Sequence, residues 1–97
     1  MTYDLPKRTE REMREMAKKH GISRMILFGS RARGTNTDPS DIDIAVSGGD
    51  FDSFFWDIKE NVHSLLRFDI IDLDRGISDS LREEFERDGV TIYEEDR

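Results

Sequence analysis

Residues 28–46 have the sequence FGSRARGTNTDPSDIDIAV. An apolar segment ends at Phe28, a Gly-Ser pair follows, and two arginines precede a polar stretch. The chain then enters a second apolar segment, in which Asp41 and Asp43 alternate with aliphatic residues. Neither a plain strand nor a solvated loop requires this combination, so the stretch indicates a strand, a turn and a second strand that together carry a function.

The second apolar segment, residues 41–47, alternates with a period of two and predicts a β-strand. Its aliphatic residues share one face, whereas Asp41 and Asp43 share the opposite face with Cα atoms roughly 6.5 Å apart. Two carboxylates at that separation repel each other unless a cation lies between them. Mg²⁺ suits such a position because it binds one or two carboxylates together with water and substrate phosphates.

The aspartate pair is weak evidence when taken alone. The chain contains 13 aspartates and three Asp-x-Asp pairs, of which chance accounts for about two. Asp50 and Asp52 stand at the start of a predicted helix, where aspartate binds free backbone N–H groups. The pair Asp41 and Asp43 differs from the others because it alone follows a Gly-Ser turn and two arginines.

The turn at Gly29-Ser30 is a candidate phosphate site. A strand that ends there and continues into a short helical turn exposes backbone N–H groups and a hydroxyl, which favour a phosphate. Arg31 and Arg33 are able to hold the same anion through forked hydrogen bonds. Either arginine taken singly is better explained as a solvated surface charge.

The remaining sequence predicts alternating helices and strands within one domain that spans residues 1–97. The order implies an α/β (α+β) fold with a small mixed sheet flanked by helices. The predicted elements are a helix capped by Thr9-x-x-Glu12 and ending near Gly21, a strand at 24–28, a short helical turn, a strand at 41–47, a helix from Phe51 to Leu66, a strand at 67–73, a helix capped by Ser80-x-x-Glu83 and ending near Gly89, and a strand at 90–93.

Composition excludes several classes of function. The net charge is −7, and residues 35–74 carry ten acidic and two basic groups, which disfavours nonspecific binding of nucleic acid. The chain has no run of 18 apolar residues that would predict a membrane span. Without cysteine it predicts neither a disulfide nor a thiolate zinc site, and we expect a cytoplasmic protein.

The stretch GSRARGTNTDPSDIDIAV closely resembles the signature of the DNA polymerase β-type nucleotidyltransferase superfamily, in which Gly-Ser is followed after ten residues by Asp-x-Asp. It is particularly similar to the stand-alone minimal nucleotidyltransferases. The resemblance implies that the triphosphate of ATP or another NTP lies near Gly29 and Ser30, and that Asp41 and Asp43 hold two Mg²⁺ ions. It also implies transfer of a nucleoside monophosphate to an acceptor hydroxyl, with release of pyrophosphate.

The resemblance further implies a third catalytic and metal-binding carboxylate on a later strand, and two residues are candidates. Asp69 and Asp72 both lie in the segment RFDIIDLD, on opposite faces of a regular strand. The alternation does not decide between them. The family usually places this aspartate early in the strand between aliphatic residues, which favours Asp69.

Three classes of function fit the resemblance. Minimal members commonly occur beside a helical HEPN-type protein, and some transfer AMP to a tyrosine of that partner in a toxin–antitoxin system. The alternative is a nucleotide-binding antitoxin that sequesters its partner without catalysis. Drug-modifying members generally carry an additional domain and are disfavoured. Trp56 lies opposite the apolar face of its predicted helix, and we expect it to contact the partner or a second copy of the chain.

Overall fold

A four-stranded sheet organises the protein. The computed structural model describes residues 5–34, 41–62 and 67–95, and within them the strands lie in the order β3-β2-β1-β4. The elements are α1 (Lys7–Lys19), β1 (Arg24–Phe28), α2 (Ser30–Arg33), β2 (Ile42–Ser47), α3 (Phe51–Asn61), β3 (Phe68–Asp72), a 3₁₀ turn (Leu73–Arg75), α4 (Asp79–Asp88) and β4 (Val90–Glu94).

The sheet is mixed, as predicted. Strand β1 pairs antiparallel with β2 on one side and with β4 on the other. Strands β2 and β3 pair in parallel. A parallel pair cannot be joined by a tight turn, and α3 supplies the long connection that returns the chain to the same end of the sheet. The sheet and its helices confirm the predicted fold class.

The core lies on one face of this sheet, where α1 and α3 pack. The aliphatic positions of β2 that alternate with its aspartates are buried there, which confirms the predicted alternation. In antiparallel register, Val46 of β2 lies beside Met25 of β1, and Ile44 lies beside Leu27. Helix side chains that complete this core include Met13, Ala17, Phe54 and Ile58, all fully buried.

A hydrogen-bonded cluster joins α1 to α3 at the edge of the core. The Nε2 atom of His20 donates to Oδ2 of the buried Asp57 at 2.7 Å, and Asn61 donates to its other oxygen. Lys19 approaches the same carboxylate at 3.4 Å. The hydrogen bonds from His20 and Asn61 hold the pKa of the Asp57 carboxyl below its usual range. The cluster therefore fixes the end of α1 against the side of α3, a contact that the sequence did not predict.

Helix α4 lies against the opposite face of the sheet, the face that carries Asp43. The ring of Phe85 meets the ring of Phe28 edge-on, with centroids 4.8 Å apart. No residue of α4 is fully buried, so the helix covers this face only partly. The face therefore keeps polar groups accessible beside an aromatic contact.

Two predicted caps are wrong. Helix α1 starts after Pro6, with no side-chain cap, and Thr9 is buried inside the helix. Proline suits the boundary because its fixed φ and missing N–H cost nothing there. Helix α4 is capped by Ser78, whose hydroxyl accepts a hydrogen bond from the backbone N–H of Leu81. The predicted cap, Ser80, lies two residues further along, inside the helix.

Helix α3 ends earlier than predicted. Helix α3 ends at Asn61, because Val62 adopts an extended conformation with φ −79° and ψ 125°. The predicted helical residues Leu65 and Leu66 lie outside the described residues. At its start, Asp50 caps the helix by accepting from the backbone N–H of Ser53, as predicted. None of the helices within the described ranges is both long enough and apolar enough to cross a membrane.

Candidate active site

Asp43 and Asp69 are neighbours on two parallel strands. The ladder between β2 and β3 places the two residues in direct register, on the sheet face opposite the core. Adjacent strands in a sheet lie about 4.8 Å apart, so the two carboxylates start from neighbouring backbone positions. Asp41 stands one residue before β2 and is exposed. The strand register therefore brings together an early residue of β3 and the aspartate pair of residues 41–43.

Asp72, the other candidate for the third carboxylate, makes local contacts at the end of β3. It lies beside Val46 in the ladder, three positions along β3 from Asp69. Its Oδ1 accepts a hydrogen bond from the backbone N–H of Asp74 at 3.0 Å, and its Oδ2 lies 3.2 Å from Nε of Arg75. These contacts cap the 3₁₀ turn that follows β3. Of the two late aspartates, only Asp69 lies in register with Asp43.

The carboxyl of Asp43 is in an unfavourable electrostatic environment. Burial raises its pKa, and the charges of Asp69, Asp41 and Glu84 raise it further, from 3.8 to about 6. Each of these causes disfavours the ionised form. A cation bound beside Asp43 would relieve this repulsion.

Glu84 is a site residue that the sequence analysis missed. It lies on α4 and adds negative charge to the surroundings of Asp43. A signal for it exists in the sequence, since Leu81, Glu84, Phe85 and Asp88 follow the spacing of one helical face. All four are less exposed than the remaining acidic residues of α4. The sequence could not show that this face packs over the end of β2 that carries Asp43.

Position 29 requires glycine for two reasons, its backbone conformation and its closeness to Asp43. Its φ of 76° lies in the left-handed region, which side chains other than glycine adopt at a cost. A β-carbon at this position would lie 2.5 Å from Oδ2 of Asp43. The predicted turn therefore approaches the carboxylate so closely that only a hydrogen fits between them.

Ser30 begins the short helix α2 directly after this turn. Ser30 is half-buried, and it follows Gly29 at the end of β1. Residues 35–40 lie outside the described residues. The turn and the short helix that were predicted from residues 28–34 are both present.

The two arginines of this segment differ from each other. Arg31 is only 2% exposed, so its side chain is packed inside the protein and does not present a charge to solvent. The predicted contact between Arg31 and a phosphate stays a prediction. Arg33 is accessible, with 40% of its side chain exposed, and its Nη1 lies 3.6 Å from Oδ2 of Asp88 on α4.

The carboxylates at this site fit Mg²⁺, the metal that the resemblance implies. Among residues 5–34, 41–62 and 67–95, no three acidic or histidine side chains are gathered closely enough to form a complete metal cage. Mg²⁺ does not need one, since it keeps several waters and binds one or two carboxylates together with substrate phosphates. Asp43, with Asp69 in register and Asp41 nearby, offers hard oxygen donors and uncompensated negative charge of the kind that Mg²⁺ binds.

The chain is similar to a known protein family and to solved structures. Residues 11–97 match the protein-family model described as polymerase beta, nucleotidyltransferase. The structure of a minimal nucleotidyltransferase is similar at 29% sequence identity and a TM-score of 0.64, over 84% of this chain and 86% of that one. No curated protein shows significant sequence similarity to this chain.

Two further similar structures come from toxin–antitoxin complexes. A toxin–antitoxin structure with AMP-PNP has a TM-score of 0.69 at 26% identity, over 89% of this chain and 73% of that one. A mutant of the toxin–antitoxin pair MntA-HpeT has a TM-score of 0.68 at 26% identity, over 95% of this chain and 75% of that one. The fold around the acidic face is therefore shared with proteins of such pairs.

Proposed function

The chain belongs to the polymerase β-type nucleotidyltransferase family, and we propose that it transfers AMP from ATP to a hydroxyl of a partner protein as the antitoxin of a toxin–antitoxin pair. The observation that carries this proposal is the packing of the Gly29-Ser30 turn against Asp43, with Asp69 in register on the next strand. In this proposal the turn binds the phosphates and the neighbouring carboxylates bind the metal, so that both functions lie in one site.

Each part of the site has a role in this proposal. The Ser30 hydroxyl and the backbone N–H groups of the turn bind the β- and γ-phosphates. Asp41, Asp43 and Asp69 hold Mg²⁺, two ions in the family's mechanism. When bound, the metal neutralises the phosphate oxygens and lowers the cost of charge on the entering and leaving oxygens.

The chemical step follows from this placement. The acceptor hydroxyl gives up its proton to water and its oxygen forms a bond to the α-phosphorus, while the bond from that phosphorus to the bridging oxygen breaks and pyrophosphate leaves. The chain's own residues orient the triphosphate so that the leaving group lies opposite the attacking oxygen, which is where most of the rate acceleration arises. Arg33 adds an accessible guanidinium to the phosphate side.

The acceptor in this proposal is a tyrosine of a HEPN-type helical protein. The similarity to toxin–antitoxin structures supports a protein partner. Trp56 offers a contact surface for it, because 61% of this residue is exposed and its ring meets Phe55 edge-on at 5.3 Å. The alternative function, sequestration of the partner without catalysis, uses the same nucleotide site and the same surface.

Intact-mass spectrometry separates catalysis from sequestration. The chain is incubated with a purified HEPN-type partner, ATP and Mg²⁺, and we expect the partner to gain the mass of one or more adenylate units with matching release of pyrophosphate. The Asp43→Asn variant is expected to leave the partner unmodified while still binding it. A partner that forms a complex with the wild-type chain but stays unmodified would support sequestration instead.

The phosphate assignment has its own test. Ser30→Ala should weaken binding of AMP-PNP more than binding of adenosine, because the hydroxyl is assigned to the polyphosphate. Isothermal titration calorimetry with both ligands in the presence of Mg²⁺ measures the two losses. Equal losses would remove Ser30 from the phosphate site.

A further inference from the structure

Helix α4 ends with an aspartate that lies between two arginines. The carboxylate of Asp88 has its Oδ2 atom 3.6 Å from Nη1 of Arg33 and 2.9 Å from Nε of Arg87. Only 18% of the Asp88 side chain is exposed, compared with 69% of the Arg87 side chain. Asp88 thus connects the end of α4 with the end of α2, the short helix that starts at the candidate phosphate turn.

Asp88 and α2 are both held in place by strand β1. Strand β4 starts at Val90, which pairs with Leu27 near the end of β1. Asp88 precedes Val90 by two residues, and Gly89 between them packs so tightly that a β-carbon there would lie 2.5 Å from the carbonyl oxygen of Phe85. Helix α2 starts two residues after β1 ends. The separation of Asp88 from α2 is therefore set by the β-ladder and leaves little freedom.

The chemistry of arginine allows it to bind two anions at once. A guanidinium carries five N–H donors in a rigid planar fork, so contact with a carboxylate through one edge leaves another edge able to bind a phosphate. A freely rotating Arg33 would lose side-chain entropy on binding a ligand, whereas one already oriented by Asp88 loses less. We propose that Asp88 is a positioning residue that holds Arg33 toward the phosphate-binding turn; this inference rests on the proposed function.

Removal of the Asp88 charge should weaken nucleotide binding, whereas simple electrostatics predicts tighter binding. Helix α4 carries several acidic residues besides Asp88, and any of them repels a bound triphosphate. Removing one of these charges should therefore strengthen binding of a nucleotide slightly. If Asp88 positions Arg33, its removal should weaken binding, because the loss of orientation outweighs the relief of repulsion.

A double-mutant cycle measures this effect directly. Binding of AMP-PNP with Mg²⁺ to the full chain is measured by calorimetry for Asp88→Asn, Arg33→Gln and the double variant, with circular dichroism to confirm folding. Glu83→Gln, an exposed position on the same helix, is the matched control for loss of one negative charge. Asp88→Glu tests whether a longer carboxylate restores the contact.

Asp88→Asn should weaken binding about two- to fivefold, the range for a partly exposed ion pair. Arg33→Gln should weaken it about tenfold or more, as expected for a charged hydrogen bond. With Gln at position 33, Asp88→Asn should no longer weaken binding, and Asp88→Glu should stay within about twofold of the wild type. Glu83→Gln should leave binding equal or slightly tighter.

The outcomes are distinct. Tighter binding by Asp88→Asn, or an equal loss with and without Arg33, would overturn the positioning role while leaving the nucleotide site in place. Failure of the folded wild-type chain to bind AMP-PNP with Mg²⁺ would overturn the proposed function, and this inference with it.

Discussion

Replacing Asp43 with asparagine should make the protein more stable and inactive. The substitution keeps the shape of the side chain and removes the charge that its neighbours oppose. The pKa of Asp43 is raised from 3.8 to about 6 by burial and by the charges of Asp69, Asp41 and Glu84. We therefore expect the free energy of unfolding to increase when the charge is removed at neutral pH.

The size of the gain follows from the pKa. A rise from 3.8 to about 6 corresponds to about 3 kcal/mol, at 1.36 kcal/mol per pH unit. Asp43 is only half-buried, so solvent screens part of this repulsion, and we expect about 1–2 kcal/mol.

The pH dependence has a definite sign. Because the pKa is higher in the folded than in the unfolded state, the folded protein holds its proton more strongly, and losing it on raising the pH costs stability. The difference between Asp43→Asn and the wild type should be close to zero below the unfolded pKa of 3.8, grow as the pH rises, and reach its full value above about 6.

Urea denaturation at several pH values tests this reasoning. Circular dichroism is the better signal, since Trp56 is already exposed in the folded protein and its fluorescence should change little on unfolding. Glu60→Gln, an exposed residue of α3, is the control for loss of a charge remote from the site. A variant that is less stable than the wild type at pH 7.5, or a difference that does not vary with pH, would refute the electrostatic argument.

Magnesium should also stabilise the wild type, because it offsets the charge that the substitution removes. A cation bound at Asp43 stabilises the folded state in proportion to the logarithm of its concentration. The wild type should therefore gain stability on addition of Mg²⁺ at pH 7.5 and lose that gain with EDTA, whereas Asp43→Asn should show little response. An equal response of both proteins would remove Asp43 from the metal site.

Three further predictions concern other parts of the molecule. Asp69→Asn should reduce pyrophosphate release by orders of magnitude, whereas Asp72→Asn should change activity and stability little, because asparagine keeps the oxygen that accepts from the backbone N–H of Asp74; the reverse order in an activity assay would move the metal role to Asp72. Asp57→Asn should destabilise the protein by about 1–3 kcal/mol at pH 7, because asparagine has one acceptor oxygen where Asp57 accepts from both His20 and Asn61. The pKa of Asp57 is lowered in the folded state, so this contribution is present above the unfolded pKa and is lost as the pH falls through the folded one, which urea denaturation at pH 7 and pH 3 compares. Trp56→Ala should change stability by less than about 0.5 kcal/mol but weaken partner binding, measured by calorimetry, by about 2 kcal/mol; unchanged affinity would exclude this surface. In the wild type, the partner should shield Trp56 from a fluorescence quencher.

The sequence predicted the helices and strands wherever the apolar residues recurred with a clear period. The alternation of residues 41–47 defined β2 and the face of its aspartates, and the helical spacing after Phe51 defined α3 and left Trp56 outside the core. Element ends were less predictable, because a cap depends on local alternatives that are close in energy. Ser78 and Ser80 are both good capping residues, and the observed choice depends on how α4 meets the sheet.

The chemistry of the site was visible in the sequence because a turn, two arginines and two carboxylates lie within one short stretch. Residues that reach the site from distant parts of the chain were not visible. Only the register of β3 against β2 showed that Asp69, and not Asp72, lies beside Asp43, because alternation alone allows either face. The contact of Arg33 with Asp88 and the approach of Glu84 to Asp43 depend on α4 folding back over the sheet. Local periodicity determines which residues share a face, whereas only tertiary packing determines which faces meet.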